Sequence, residues 1–423
     1  MTAFTTPRLL QPFAVALVLL CAFPAWSQEE CDGYRYRYTG AFDGVVVDAN
    51  LLYGENINID FVPQDLLLDI YSPQGDALEN RPLVLMAHGG FFVGGSKEDP
   101  SVVSLCEDLA QMGYVTASFG YRLGIDNFFD LQTSFIESVW RAVHDSRAAV
   151  RYFRKSATLG NPFRIDTNRI YLGGVSAGGF IALHHAYVDE QSEIPSAIDP
   201  TETGLGGGLE GLSGNTGYSS EVHGVVNIAG ALQTTEFLLS GANEPLYSIH
   251  GTEDGVVPID EGDIVFSGFP VIDVDGSQTI HAEANGLGMD ECLIVVDGAG
   301  HVPHAADPTH YDLTLSSIAG KLGEWACEDY VSICGEYDYT ADSGVVQHEE
   351  TAAPLIFPNP SSAQARVFVT FESPTHWSLI NALGVEVDSG VAARGEQMVW
   401  RGLAPGWYAL TSNVGTQSLV ITP

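Results

Sequence analysis

A serine lies between two glycines at positions 174–178, where the chain reads Gly-Val-Ser-Ala-Gly. Residues 168–172 before it have the pattern of a short buried strand, and residues 180–186 after it are typical of the start of a helix. A strand, a sharp turn and a helix form the context of a nucleophile elbow. Gly174 and Gly178 leave the turn free of obstructing side chains. We therefore predict that Ser176 is a nucleophile held in a strained backbone conformation.

A serine nucleophile needs a base that takes its proton and an acid that orients the base. His301 follows the predicted strand 292–296 and Gly300, and we assign it as the base; His304 is the nearby alternative. Asp254 follows the predicted strand 245–249 in a glycine-flanked turn, and we assign it as the acid. Because the carboxyl ends of parallel strands meet at one edge of a sheet, the three side chains are expected to converge there.

Two other carboxylates compete for the role of the acid. Glu253 is adjacent to Asp254, and Asp297 lies in the loop that carries His301. His250, at the end of the strand before Asp254, is interpreted as a structural contact.

Backbone donors for an oxyanion are expected in the segment 88–91, which follows the apolar strand 83–87 and reads His-Gly-Gly-Phe. Its glycines let main-chain N–H groups approach a developing oxyanion. We assign the N–H groups of Gly90, Phe91 and Ala177 as these donors, with His88 bracing the loop. The alternative is a glycine-rich turn that merely connects a strand to a helix.

The elements around these residues alternate between strands and helices, which predicts an α/β protein with a mostly parallel central sheet flanked by helices. The predicted strands are 42–48, 65–71, 83–87, 114–118, 168–172, 222–228, 245–249 and 292–296, and the predicted helices include 101–112, 131–155 and 310–326. Residues 204–214 interrupt the pattern with a glycine-rich stretch. We interpret it as a flexible surface loop, with a lid or a substrate rim as the alternative.

The two ends of the chain differ from this pattern. Residues 1–27 have the positive start, the apolar run 13–22 and the small residues before Gln28 that are typical of a cleaved signal peptide, and no other stretch is long and apolar enough to span a membrane. We expect a catalytic domain over 28–335, an acidic linker over 336–353 and a small all-β sandwich over 354–423 with strands 365–371, 376–380, 407–411 and 417–421.

A signal peptide would place the protein in an oxidising compartment, where some cysteines are expected to pair. The remaining cysteines are Cys31, Cys106, Cys292, Cys327 and Cys334, an odd number that leaves at least one free thiol. We expect the pair Cys292–Cys327, because Cys292 opens the last strand and Cys327 closes the helix that returns towards the beginning of that strand.

The charge limits the partners. The chain has 17 Lys and Arg against 54 Asp and Glu, a formal net charge of −37. This excludes non-specific nucleic-acid binding and argues against polyanionic substrates and anionic membranes. The acidic residues are spread along the chain, which predicts a strongly hydrated surface; adaptation to a salty extracellular setting is a narrower hypothesis. Acidic loops leave weak calcium sites open, and we assign no metal ligands.

Taken together, these motifs resemble the secreted carboxylesterases of the α/β-hydrolase fold, including the hormone-sensitive-lipase-like esterases. The resemblance covers about residues 40–326 and rests on residues 88–90, 121–123, 168–179, 250–258 and 300–301. It implies hydrolysis of carboxylic esters without a cofactor, with Ser176 acylated, His301 as the general acid–base and Asp254 as its partner. Phe91 stands where many relatives have glycine, which bears on the shape of the acyl pocket.

The tail is similar to the C-terminal sorting domain of the bacterial type IX secretion system. This resemblance covers about residues 354–423 and rests on residues 357–360, 378–387 and 403–409. It implies export by the outer-membrane secretion machinery and a secreted or cell-surface location. A generic β-sandwich binding module is the alternative.

The sequence thus predicts an exported serine ester hydrolase. The alternatives are a serine peptidase of the same fold and a surface-binding protein that has lost catalysis. Short acyl esters, feruloyl or acetyl groups on plant polysaccharide, and polyesters all remain open as substrates. Four aromatic residues could line a pocket: Phe91, Phe92, Phe128 and Phe129.

Overall fold

The computed structural model describes residues 30–31, 35–125, 127, 129–238, 244–266, 269–327, 330 and 334, and strands with a few adjoining residues between 355 and 422. The predicted signal peptide (1–27), the whole predicted linker (336–353) and Phe128 lie outside the described residues. Among the residues that are described, no helix is both long enough and apolar enough to cross a membrane.

Residues 45–296 contain a central sheet of eight strands: β1 (Val45–Ile57), β2 (Pro63–Pro73), β3 (Arg81–Ala87), β4 (Val115–Phe119), β5 (Ile165–Val175), β6 (Val225–Ile228), β7 (Leu246–Gly251) and β10 (Glu291–Val296). Their order in the sheet is β1-β2-β4-β3-β5-β6-β7-β10. β2 pairs antiparallel with β1 and β4, and all the other neighbours are parallel. This is the mostly parallel sheet predicted from the sequence, in the arrangement of an α/β-hydrolase. Two further strands, β8 (Glu261–Phe266) and β9 (Phe269–Asp275), pair with each other outside this sheet.

Helices cover both faces of this sheet. They are α1 (Pro100–Gln111), α2 (Leu131–Thr158), α3 (Ala177–Tyr187), α4 (Ser277–Leu287), α5 (Pro303–Ala306) and α6 (Pro308–Ala326), with short 3₁₀ turns at Gln191–Glu193 and Thr235–Phe237. The apolar core consists of two clusters, one on each face of the sheet, and β3 contributes to both. Leu83 and Leu85 belong to the cluster with α2 and α3, whereas Val84 and Met86 belong to the cluster with α1 and α6. Burial on both sides is what a continuous apolar strand requires.

The helix starts follow from local chemistry. α1 begins at Pro100 after Asp99, whose carboxylate accepts the N–H of Ser101 at 2.9 Å. α6 repeats the device with Pro308 after Asp307. An aspartate cap followed by proline satisfies one orphan donor and presets the first helical residue.

Residues 259–291 carried no predicted helix or strand. The structure places the antiparallel hairpin β8–β9 and the helix α4 there. Ile264, Ile272 and Val274 of this hairpin join the core cluster. The hairpin matters for function because one of its residues reaches the site described below.

The predicted disulfide Cys292–Cys327 is wrong. Cys327 pairs with Cys31, and Cys292 pairs with Cys334, while Cys106 is a buried free thiol as the odd count requires. The start of the described chain lies against the end of α6, where the hydroxyl of Tyr330 donates to the carbonyl of Arg35 at 2.8 Å. This contact brings Cys31 to Cys327, and Cys334, seven residues further on, reaches the beginning of β10 instead.

Residues 204–214 form a loop without helix or strand, as predicted, but the expectation that so many glycines prevent packing is wrong. This segment packs on α2, whose His144 and Arg151 donate to the carbonyls of Gly208 (2.7 Å) and Glu210 (2.8 Å). Gly211 has a φ of 63°, and a Cβ there would lie 2.2 Å from the ring of His144. The glycines therefore permit close packing.

The C-terminal strands are β11 (Leu355–Phe357), β12 (Ser361–Ser362), β13 (Arg366–Thr370), β14 (Thr375–Asn381), β15 (Glu386–Ala392), β16 (Gln397–Arg401), β17 (Gly406–Ser412) and β18 (Gly415–Thr422). They form two sheets, in the orders β11-β13-β16 and β12-β18-β17-β14-β15. Trp377 of one sheet meets Trp400 of the other with ring centroids 5.4 Å apart, so the two sheets face each other as in the predicted all-β sandwich. The domain boundaries themselves stay a prediction.

Candidate active site

Ser176 forms a sharp turn between β5 and α3. Its φ of 55° and ψ of −114° are strained for a residue with a side chain, and its N–H donates to the carbonyl of Ile228 at 2.8 Å. A Cβ on Gly174 would lie 2.3 Å from the backbone of Gly178, and one on Gly178 would lie 2.1 Å from the carbonyl of Ala87. A side chain at either position would clash with the neighbouring backbone, so both positions require glycine, as expected for a nucleophile elbow.

Three side chains from separate loops form a hydrogen-bonded chain. His301 Nε2 lies 2.8 Å from Ser176 Oγ, and His301 Nδ1 lies 2.7 Å from Asp254 Oδ2. Because the carboxylate accepts the proton on Nδ1, the lone pair of Nε2 faces the serine hydroxyl. The Asp254 carboxylate is fully buried, whereas the His301 ring is 21% exposed. The arrangement can remove the serine proton at the moment of attack.

The loops that carry the acid and the base are held together by main-chain contacts. The N–H of Glu253 donates to the carbonyl of Ala299 at 2.9 Å. A Cβ on Gly251 would lie 2.3 Å from that same carbonyl, so only glycine allows this approach. The ends of β7 and β10 therefore place Asp254 beside His301.

Asp254 accepts hydrogen bonds on both carboxylate oxygens. Oδ1 accepts the N–H groups of Val256 (2.8 Å) and Val257 (2.9 Å), and Oδ2 faces His301 and His250. Burial acts to raise the pKa of Asp254, but the hydrogen bonds from His250 and His301 outweigh it and hold the pKa well below its ordinary value. The acid is thus charged at neutral pH.

The competing residues have other partners. His304 Nε2 lies 3.0 Å from the carbonyl of Ser101, and Asp297 accepts from the hydroxyl of Thr252 at 3.3 Å. Glu253 is exposed to solvent. The structure thus brings together the serine, acid and base assigned from the sequence.

The segment 88–95 packs directly against the elbow. A Cβ on Gly89 would lie 3.4 Å from the Cβ of Ser176. Gly90 has a φ of 116°, and its carbonyl accepts the N–H groups of Val93 and Gly94, both at 3.1 Å, which closes a tight turn. Phe91 and Ala177 line the same cavity as Ser176. Two of the residues assigned as oxyanion donors, Phe91 and Ala177, therefore lie beside Ser176, and the third, Gly90, precedes Phe91 in the turn.

His88 has the contacts of a bracing residue. Its Nδ1 lies 2.7 Å from the carbonyl of Gly89, and its ring stacks on Tyr121 at a centroid distance of 4.3 Å. The hydroxyl of Tyr121 donates to the carbonyl of His88 at 2.9 Å. Burial lowers the pKa of His88, which favours a neutral ring.

A small apolar cavity of about 10 Å³ opens beside the serine. This volume is near the lower limit for one water molecule. Besides Ser176 and Ala177 it is lined by Phe91, Phe92, Phe135, Phe180, Val257 and Ile264.

Two of those rings, Phe135 and Phe180, also line a second apolar cavity of about 20 Å³ behind the first. Phe91 and Phe92 were predicted from the sequence as pocket residues, whereas Phe135 and Phe180 were not. The position of Phe180, one helical turn after Ser176, was the available signal for one of them. Phe129 is fully exposed and does not line the cavity.

Among the described residues, no group of three or more His, Cys, Asp or Glu side chains is arranged to hold a metal ion. The groups that converge at this site are the serine hydroxyl, the imidazole of His301, the carboxylate of Asp254 and the backbone around them.

Part of the chain is similar in sequence to known proteins. Residues 68–238, which include Ser176, match the protein-family model described as BD-FAE. Gut esterase 1 of Caenorhabditis elegans is 30% identical over 113 residues, or 27% of this chain and 19% of that protein. A non-reducing polyketide synthase of Emericella nidulans is 32% identical over 136 residues, or 31% of this chain and 5% of the synthase. The chain thus spans a fifth or less of the length of either relative.

Solved structures with a similar fold include esterase 2 of Thermogutta terrifontis with propionate bound. That structure is 22% identical, with 67% of this chain and 94% of that chain covered and a TM-score of 0.46. A truncated carbohydrate esterase from gut microbiota is 16% identical, with 67% of this chain and 98% of that chain covered and a TM-score of 0.46.

Proposed function

We propose that this chain is an exported serine hydrolase of carboxylic esters. The observation that carries the proposal is the hydrogen-bonded chain from Ser176 Oγ through His301 to Asp254, with distances of 2.8 and 2.7 Å. The match of residues 68–238 to the BD-FAE model, an esterase-type hydrolase family, supports the same chemistry.

In the proposed reaction His301 Nε2 takes the proton of Ser176 as Oγ attacks the ester carbonyl. The N–H groups of Gly90, Phe91 and Ala177 stabilise the resulting oxyanion. His301 then gives its proton to the departing alcohol, which leaves an acyl group on Ser176. Water, activated by His301, releases the acid and restores the serine.

Export is the second half of the proposal. It rests on the signal-peptide pattern of residues 1–27 and on the resemblance of residues 354–423 to a type IX sorting domain. The protein would then meet its substrate at the cell surface or in the medium. Comparing the export of the full chain with that of a chain ending at residue 353, in a host with this secretion system, tests it; equal export would contradict the proposal.

The ester hydrolase proposal is tested with a p-nitrophenyl ester series and a fluorophosphonate probe on wild type and Ser176→Ala. We expect hydrolysis and labelling in wild type and a loss on the order of 10⁴-fold or more in the variant. Ser118→Ala, another buried serine, is the control and should retain both. Labelling without ester hydrolysis, together with cleavage of a peptide amide, would indicate the peptidase alternative. No labelling of Ser176 would indicate the binding protein.

A further inference from the structure

A buried histidine outside the proposed triad contacts the same carboxylate oxygen as the base. His250 lies near the end of β7 with a fully buried side chain, and its Nε2 is 3.1 Å from Asp254 Oδ2. His301 Nδ1 is 2.7 Å from that oxygen. Two imidazole rings therefore meet on one atom of the acid.

The proton on His250 can be assigned from its neighbours. Nε2 also lies 3.1 Å from the carbonyl of Val257. Since the carboxylate and this carbonyl are both acceptors, Nε2 must carry a hydrogen. The other ring nitrogen, Nδ1, lies 2.8 Å from the hydroxyl of Ser277 at the start of α4.

Asn227 fixes the direction of that second contact. Gly230 donates its N–H to Asn227 Oδ1 at 2.9 Å, so the amide nitrogen points the other way and lies 3.0 Å from Ser277 Oγ. Ser277 accepts from Asn227, and its own hydrogen is available to His250 Nδ1. Hydrogen-bond donation thus runs from Asn227 through Ser277 and His250 to Asp254.

We propose that His250 is a positioning residue for the pair of Asp254 and His301. Its Nε2–H donates to Asp254 Oδ2, the oxygen that also accepts from His301, and so holds the carboxylate in place. The hydrogen bonds from Asn227 to Ser277 and from Ser277 to His250 keep Nδ1 of His250 unprotonated. The proposal rests on the ester hydrolase function proposed above, since the pair it positions is the catalytic acid and base.

The shared oxygen has a consequence for the pH dependence. Without His250, the carboxylate has one donor fewer and stabilises the charged form of His301 more strongly. The acidic limb of kcat/KM, which reports protonation of the base in the free enzyme, then moves to higher pH. The elements that meet here also carry Glu253, Asp260, Asp275 and Asp297, and the variants below leave all of them in place.

The test compares His250→Phe with His281→Phe in the full-length protein. His281 is a matched buried histidine, paired with Glu291 at 2.6 Å rather than with the triad. With p-nitrophenyl acetate we expect His250→Phe to lose about ten- to a hundredfold in kcat with little change in KM. Its acidic limb should move up by roughly one pH unit. His281→Phe should keep the wild-type limb.

A conservative variant separates positioning from packing. The side-chain amide of His250→Gln can place an N–H near Oδ2, so it should recover part of kcat and of the pH profile. Ser277→Ala should move the limb in the same direction by a smaller amount. If His250→Phe does not fold, these two variants decide the question. A limb that stays at its wild-type position in every folded variant overturns the proposal.

A measurement without substrate keeps the two proposals apart. ¹⁵N-histidine NMR of the wild type should show His250 protonated at Nε2 and unprotonated at Nδ1. A neutral ring protonated at Nδ1 overturns the positioning proposal regardless of activity. The expected tautomer in a protein that hydrolyses no ester would count against the ester hydrolase function and leave the hydrogen-bond arrangement standing.

Discussion

Replacing Phe135 with alanine should change which acyl groups the site accepts. Phe135 lies near the start of α2 and lines both the cavity beside Ser176 and the larger apolar cavity, so its ring is shared by the two. It packs against Phe91 and Phe92 at centroid distances of 5.4 and 5.5 Å and against Phe180 at 6.2 Å. Removing its ring joins the two cavities.

The size of the effect follows from the volumes. A cavity of about 10 Å³ has room for a methyl group, so wild type should prefer acetate. A butyryl chain has two more methylenes, each worth about 0.8 kcal/mol when buried, which gives about a 15-fold gain once there is space. Wild type must also displace an aromatic ring to admit the longer chain, which costs about 1 kcal/mol or more. The butyrate-to-acetate ratio of kcat/KM should therefore rise about 15- to 100-fold in Phe135→Ala.

The assay uses p-nitrophenyl acetate, butyrate and hexanoate, and the ratio between esters cancels any loss of active protein. Phe153→Ala is the matched control: it removes a buried ring from the same helix, where Phe153 packs on Phe163 at 5.7 Å. Both variants should lose about 3–5 kcal/mol of unfolding free energy. A ratio that changes no more in folded Phe135→Ala than in Phe153→Ala would refute the argument.

Three further predictions concern stability. Cys334→Ser opens the 42-residue loop closed by the disulfide to Cys292 and should cost up to about 4 kcal/mol in urea unfolding, an effect absent when wild type is compared under reducing conditions. Burial, with the nearby charges of Asp189 and Glu221, raises the pKa of Glu244 from 4.5 to about 7, so wild-type stability should fall as the pH rises through this range. Glu244→Gln removes this slope and should give a higher Tm than wild type at pH 8 and a similar Tm near pH 4.5. Arg122 and Asp145 form a fully buried ion pair, so Arg122→Met leaves the Asp145 carboxylate without its cation. This variant should lose about 3–5 kcal/mol of unfolding free energy, measured by urea unfolding.

The positions of the serine, acid and base could be predicted because each follows a strand of a parallel sheet. Strand ends of one sense meet at one edge, so the sequence order alone places Ser176, Asp254 and His301 near each other. The contact between Asp254 Oδ2 and His250 could not be predicted in the same way. It depends on a turn in which Val256 and Val257 bind the other carboxylate oxygen.

The errors have physical causes of the same kind. Composition alone predicted that residues 204–214 would not pack, but their backbone carbonyls accept hydrogen bonds from donors on α2 that are distant in sequence. The sequence correctly placed Cys292 near the beginning of β10 and Cys327 at the end of α6. The wrong pairing followed because the path of the chain around Cys31 and Cys334, which decides the partners, carries no periodic pattern.

Phe91 shows how the acyl pocket and the oxyanion donors are linked. Its φ of 56° is one that a glycine would adopt at lower cost, yet its ring contacts Phe135 and lines the cavity. Any change at Phe91 alters both the pocket wall and the turn that carries two of the proposed donors. Phe135 and Phe180 lie on helices and limit the same cavity without belonging to that turn. Because Phe135 contributes no backbone group to that turn, we expect Phe135→Ala to change acyl size with a smaller effect on the proposed oxyanion donors than a substitution of Phe91 would have.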